Sequence, residues 1–268
     1  MSYISQRIVK QKKYYYLEES FEYKNKLVKE SVYFGSMYPS NDEIFLGYEV
    51  LKRTCLARNH IVIVPPLTEF IRNRTAKILE NVKNTHLENL KKLNEKQLQK
   101  INNEKIQSLI NFFLLIEKNK IEKINFEHLM KYYLESIQKN EALTEIKIRK
   151  MHSLIMGHLE SKSEEYDSNL MHIFLTWYKE KTDLIHQVEF AAKFYAKFYN
   201  LKLFNENNPL LSFVLMNYIL EQKGFPFIEI SKKRINSFDK ALESALKEDY
   251  KLITYFLVDE ICKTKKEL

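Results

Sequence analysis

Polar and apolar positions along the chain follow two different periods, and the change between them falls near residue 66. Before it, "KYYYLEES" and "KLVKESVYFG" are aromatic and β-branched runs separated by "FEYKNK", and "RNHIVIVPP" is a third such run ended by Pro65 and Pro66. Runs of this composition predict a small antiparallel sheet. "EIFLGYEVLKRT" fits a strand or a helix. After Pro66, Ile71, Ile78, Val82, Leu87, Leu90 and Leu93 recur near three- and four-residue intervals, which predicts a helix from Leu67 to about Leu93. A second helix is predicted over Glu95 to Glu117, ending in the apolar patch "LINFFLLI". The two are expected to form a long antiparallel hairpin, read either as a partner-binding or dimerising arm or as a structural spacer.

From Asn125 onward the pattern predicts five or six further helices. "NFEHLMKYYLESIQK" is one, and "TEIKIRKMHSLIMGHLE" follows with Thr144 as its N-cap. After the polar loop "SKSEEYDSN" come "LMHIFLTWYKEK", "LIHQVEFAAKFYAKFYN" and "PLLSFVLMNYILEQKG", the last closed by Gly224 and Pro226. "FIEIS" reads as short and extended, and "SFDKALESALKEDYKLITYFLVDEICK" supplies one or two closing helices. The whole is expected to be mainly α: 1–66 a small β-rich element, 67–124 a helical hairpin with the segment after it, 125–268 an all-α domain.

Charge narrows the partners. The formal net charge is +8, from 43 Lys and Arg against 35 Asp and Glu, which raises nucleic acid, acidic lipid surfaces and acidic protein faces. The lysines are spread along nearly every helix and mixed with acids, the pattern of a solvated face. In the N-terminal region, Tyr14, Tyr15 and Tyr16 beside Lys12 and Lys13 fit base stacking, and equally a small sheet core.

Other counts exclude chemistry. Four glycines in 268 residues argue against P-loop and dinucleotide-type phosphate loops. Cys55 and Cys262 lie far apart without a partner at metal-ligand spacing, and "MSYISQRIVKQKK" has no apolar signal core, so a reduced, cytoplasmic protein is expected. No run of 18 apolar residues occurs, so no membrane span is expected. His152, His158, His172 and His186 have no partner at metal-ligand or triad spacing and read as structural or exposed.

The order of the later segments resembles the Fic (Fido) family, whose members mostly transfer AMP from ATP to a protein hydroxyl. There, a helix reading roughly AAxxHxxFxxI runs into the loop HPFxDGNGRxxR, which opens a helix reading roughly LLxNxxLxxxGYP. This chain offers Ala191, Ala192, Phe198 and Leu201, then Phe204, Glu206 and Asn208, then Leu215, Asn217, Leu220, Gly224, Phe225 and Pro226, in register without a gap. "MHSLIMG" is similar to the family's LHxxLxxG helix, "FLTWYKE" to its short Trp-bearing helix, and the closing segment to its Tyr-xx-Ala-Leu-Glu region. The resemblance extends to the N-terminal portion of some prokaryotic members. "EKNKIEKINFEHL" stands where many members carry an inhibitory helix.

What the resemblance implies about chemistry is mostly loss. The family's loop His is a general base suited to a pKa near ~6.5. Lys202 stands in its place, and with a reference pKa of about 10.4 it would need a depression of roughly three units to accept a proton at neutral pH. Glu206 matches the acid that holds a divalent metal against nucleotide phosphates. The Gly-Asn-Gly phosphate nest becomes Asn207, Asn208 and Pro209, and Pro209 has no N–H to donate. Pro209 instead suits the first turn of a helix. The two motif arginines become Leu210 and Phe213. Glu122 would be the inhibitory-helix glutamate, but its flanking Ser and Gly positions hold Lys118 and Lys123, and its arginine partner is Phe213.

The expectation is therefore a degenerate Fic-like protein without AMP-transferase activity, acting as a binding or regulatory protein. Its vestigial slot is Lys202, Glu206 and Asn208, with Glu206, Asn207 and Asn208 the residual nucleotide positions and Glu206 the residual metal position. ATP and Mg enter only in the alternative of a divergent nucleotidyl or phosphoryl transferase using Glu206. The expected partner is another protein, with a homodimer allowed by the helical arm. Nucleic acid at the basic N-terminal region is the further alternative.

Overall fold

Strand alternation in the N-terminal unit shows in the computed structural model, which describes residues 3–23, 26–39, 43–44, 47–48, 51, 68–116, 123–157, 166–182 and 185–264. The chain divides into two compact units, Met1–Leu67 and Thr68–Leu268. In the first, β1 (Tyr3–Val9), β2 (Lys12–Tyr23) and β3 (Lys26–Gly35) form an antiparallel sheet in the order β1-β2-β3. Lys10 and Gln11 join β1 to β2 with φ of 48° and 63°, the two left-handed positions of a type I′ hairpin turn. The sheet was legible, but not all of its strands. β1 lies in the stretch read only for its lack of a signal core, and "RNHIVIVPP" lies outside the described residues.

Pairing of Ser5 with Tyr16, Arg7 with Tyr14 and Tyr16 with Tyr33 puts these side chains on one face, since side chains at paired positions point the same way. On that face Glu18 is 2% exposed beneath Tyr3, Arg7 and Lys29. Burial pushes its carboxyl up, but Lys29, Arg7 and Tyr3 more than offset this and hold it at about 2. The opposite face closes a small core of Leu17 and Leu51 with Ile4, Val32, Phe34 and Tyr48. Tyr15 is not on the Tyr14–Tyr16 face; its ring meets Tyr38 edge-on. Of "EIFLGYEVLKRT", the described residues Glu43, Ile44, Gly47, Tyr48 and Leu51 are helical.

The second unit holds nine helices among its described residues: α1 Asn73–Lys92, α2 Glu95–Ile116, α3 Lys123–Gln138, α4 Glu145–Ile155, α5 Ser168–Lys181, α6 Gln187–Leu201, α7 Asn208–Gln222, α8 Ile235–Ala245 and α9 Lys251–Thr264. Seven of them follow residue 122, where five or six were expected; the closing segment folds as two, broken at Leu246. Thr144 caps α4 by accepting from the Lys147 N–H, as its residue type predicts.

Helix α7 decides the architecture. From Leu210 to Leu220 all its residues are buried, so it is apolar all round and sits at the centre. α6 packs along it, with α2, α3 and α4 also against it, while α1 rests on α9. Lys105 of α2 and Tyr133 of α3 converge on Glu221 at 2.5 and 2.6 Å. Gly224 ends α7 with φ +83°, and the Phe225 N–H donates to the Leu220 carbonyl at 2.9 Å, the long bond of a Schellman cap. "FIEIS" is extended but pairs with no strand among the described residues. Asn217 takes that role for its backbone, accepting from the Ile228 N–H at 2.7 Å and donating to the Ile228 carbonyl at 3.3 Å.

Candidate functional site

The loop between α6 and α7 is bracketed by two residues in the left-handed region, Lys202 (φ 47°) and Asn207 (φ 58°). Lys202 ends α6 in the conformation that usually favours Gly or Asn, and it projects into solvent. The chain then turns inward, burying Leu203 and Phe204, outward again at Asn205 and Glu206, and inward for Asn207 and Asn208. The slot residues therefore do not converge: Lys202 and Glu206 are exposed, and Asn208 is 7% exposed.

Asn208 is occupied by the loop itself. Its Oδ1 accepts from the Phe204 N–H at 3.0 Å and its Nδ2 donates to the Phe204 carbonyl at 2.5 Å. The Asn208 carbonyl accepts from Ser212 Oγ. Asn207 donates to Met156 Sδ at 2.9 Å, and its Oδ1 is buried with no partner among the described residues. Pro209 lies in the first turn of α7, where its missing N–H leaves no helical bond unmade.

His152 completes the loop as a structural histidine, a role its sequence reading allowed but could not place. Its ring stacks on Phe204 at 4.0 Å between centroids, and its Nε2 lies 2.9 Å from the Glu206 carbonyl. A carbonyl only accepts, so this ring nitrogen is the donor. The contact joins residues 54 apart, and no local pattern signals it; the hint was a His inside the apolar face of Met151, Leu154 and Ile155. Tyr166 covers the other side, bridged to Phe204 and stacked at 6.0 Å.

Where the resemblance placed arginines, the structure places core. Leu210 and Phe213 are both 0% exposed, and Phe213 stacks on Phe112 of α2 at 4.0 Å. Glu122 and Lys118 lie outside the described residues, as do Cys55 and His158. His172 is exposed, and His186 is the N-cap of α6, accepting from the Val188 N–H at 3.3 Å.

For a nucleotide with a divalent metal, the fit is poor. The loop offers one carboxylate, Glu206, and the nest position that should donate an N–H holds Pro209. Triphosphate charge would meet Leu210 and Phe213. Among the described residues, no three His, Cys, Asp or Glu side chains converge as a metal-binding group. No helix among them is long and apolar enough to cross a membrane.

Comparison with known proteins agrees on the scaffold. No protein-family profile matches the chain. Over 163 residues it is 26% identical to the protein adenylyltransferase Fic of Aedes aegypti and 25% identical to that of Culex quinquefasciatus. In each case the match covers 53% of this chain and 32% of the relative, so the chain spans about a third of those proteins. Among solved structures, Fic-1 of C. elegans superposes with a TM-score of 0.57 at 12% identity, covering 85% of this chain and 76% of that one. A Fic domain containing signaling protein of Bacteroides thetaiotaomicron gives 0.53 at 18% identity, covering 70% and 94%. The solved structures speak for the fold alone, and the mosquito proteins add the likeness in sequence. Together they give the chain a Fic-like fold and a likeness in sequence to Fic adenylyltransferases.

Proposed function

We propose that this Fic-like domain binds or regulates a protein partner and transfers no nucleotide. One observation carries the reading: Leu210 and Phe213 are wholly inside the core, with Phe213 stacked on Phe112. The region that should offer paired cations to a triphosphate is filled with apolar side chains. An arginine at 213 would have to bury a charge among Phe112, Phe227 and their neighbours, a change that costs several kcal/mol when no partner is present. Lys202, in the place of the family's loop histidine, projects into solvent and away from the buried Asn208. The mosquito relatives are named adenylyltransferases; the loop of this chain departs from the motif at the positions such chemistry needs.

The test is incubation of the full chain with α-labelled ATP and Mg²⁺, alone and with cell lysate. No transferred label is expected, and titration calorimetry with ATP and Mg²⁺ should give no binding heat. Label that appears and is then lost in Glu206→Ala or Lys202→Ala would establish the transferase alternative instead.

A second reading concerns the N-terminal sheet. Tyr14, Tyr16 and Tyr33 share its solvent face, with rings 5.2 to 6.1 Å apart and the Arg7 guanidinium 4.4 Å above the Tyr16 ring. Tyr33 is exposed and Tyr14 and Tyr16 are half-buried, and aromatic faces beside cations form the stacking platform on which single strands bind. Binding of a fluorescent oligo-dT or oligo-U that weakens steeply with salt would support this, and salt-independent or absent binding would remove it.

A further inference from the structure

Two lysines one turn apart on α6 face the same aromatic ring, with different company. Lys193 lies 5.8 Å from the Tyr250 ring centre and pairs with two carboxylates, Glu69 at 2.7 Å and Glu189 at 3.4 Å. Lys197 lies 5.7 Å from Tyr250 and 5.5 Å from the ring of Trp177, and among the described residues no carboxylate pairs with it. Its ammonium is held by ring faces alone. Cation–π attraction orients such a group without neutralising it.

The same lysine lines a groove of about 320 Å³ between α5, α6 and the α8–α9 connection, walled by Leu170, Phe174, Trp177, Leu246 and Tyr250. That volume lies at the lower end for small-molecule sites, which combine apolar walls with a few placed polar groups. Its aromatic wall is preset. Trp177 is stacked on Phe190 at 5.4 Å and meets Phe174 at 5.5 Å, so the ring is braced from behind. Glu248 is the groove's other charge, on the exposed rim and outside ion-pair distance of Lys197.

We infer that this groove binds a small carboxylate carried on an apolar or aromatic body, the body against Trp177 and Phe174 and the carboxylate on Lys197. A neutral ligand would leave the lysine unpaired, and a cation would be repelled by it. The inference uses no property of the α6–α7 loop: transfer of label from ATP would leave it standing, and an empty groove would leave the loop reading standing.

Trp177 is the only tryptophan of the chain, so its emission reports on the groove. The full chain is titrated with phenylbutyrate, phenylbutanol and phenylbutylamine, which share one apolar body and differ in charge. Saturable change in Trp177 emission is expected with phenylbutyrate, at least roughly tenfold tighter than with the other two, the effect of one hydrogen bond to a charged group. Lys197→Met should abolish that preference and Lys197→Arg should retain it. Ile173→Glu, at a groove position 63% exposed and thus tolerant of substitution, should weaken phenylbutyrate specifically. Equal binding of the three ligands, unchanged binding by Lys197→Met, or no emission change at all would overturn the inference. So would Trp177 emission already shielded from acrylamide, which means the chain fills its own groove. Tighter binding of an acetylated Phe-Asp amide than of phenylbutyrate would replace the small molecule with a peptide partner.

Discussion

The two ends of α6 treat charge in opposite ways. At its start, Glu189 is 1% exposed and accepts from the N–H groups of Glu69 and Phe70 at 3.1 and 3.2 Å, while Lys193 bridges Glu189 and Glu69. At its end, among the described residues, Lys197 meets ring faces and Lys202 is exposed to solvent. Charge at the first end fastens the start of the helical unit to its core helix. Charge at the second end pairs with no carboxylate among the described residues. Resemblance alone would rank Lys202 above Glu189 for interest, because it stands in the motif; burial and partners reverse that ranking for stability.

The largest effect should follow from attacking the first end. Glu189→Ala leaves two N–H groups without their acceptor and removes half of the Lys193 bridge, a loss on the scale of about 3 kcal/mol or more, read as a drop in thermal and urea midpoints. A stability unchanged within error would show that segment 68–70 is not fastened there.

A smaller effect should appear on acidification, again at the first end. Burial pushes the His186 imidazole down to about 4, with Glu80 opposing that shift and Lys83 adding to it. Its folded pKa is thus below the ordinary 6.5, so the unfolded chain binds more protons between those values and stability falls as pH drops from 6.5 to 4. The full span is worth about 3 kcal/mol. Glu189 acts in the reverse sense, since burial raises its carboxyl and folding then favours its protonated form as pH falls. Urea midpoints across this range for wild type and His186→Asn, which keeps an N-cap acceptor, separate the two: the variant should lose less stability on acidification than wild type. Identical slopes would remove His186 as the cause.

The smallest effect belongs to the second end. Lys202→Ala should change stability by no more than about 0.5 kcal/mol, as an exposed position with no partner among the described residues does. A larger loss would mean that the motif lysine makes contacts the comparison of the two ends assigns only to Glu189 and Lys193.

Much of this was legible in the residues. Thr144 announced a cap, Gly224 a stop, and the apolar run of α7 a buried helix, because each follows from local sterics or from period. The loop was legible as a turn between two buried helices, but its packing was not: nothing near Phe213 says that Phe112, about a hundred positions earlier, stacks on it. His152 could not be placed for the same reason, since its value lies in Phe204 and Glu206. β1 escaped notice because its burial pattern is almost wholly exposed, which leaves strand alternation little apolar signal to show.

The Asn208 amide closes a ring on Phe204, taking both its N–H and its carbonyl. In a loop organised by its ligand, the amide protons exchange with solvent until the ligand arrives. Here the fastening is a pair of hydrogen bonds supplied by the chain itself, and the Phe204 amide should resist deuterium with nothing bound. Any ligand that settles on this loop finds its ordering already complete, and would leave the exchange pattern at Phe204 as it was.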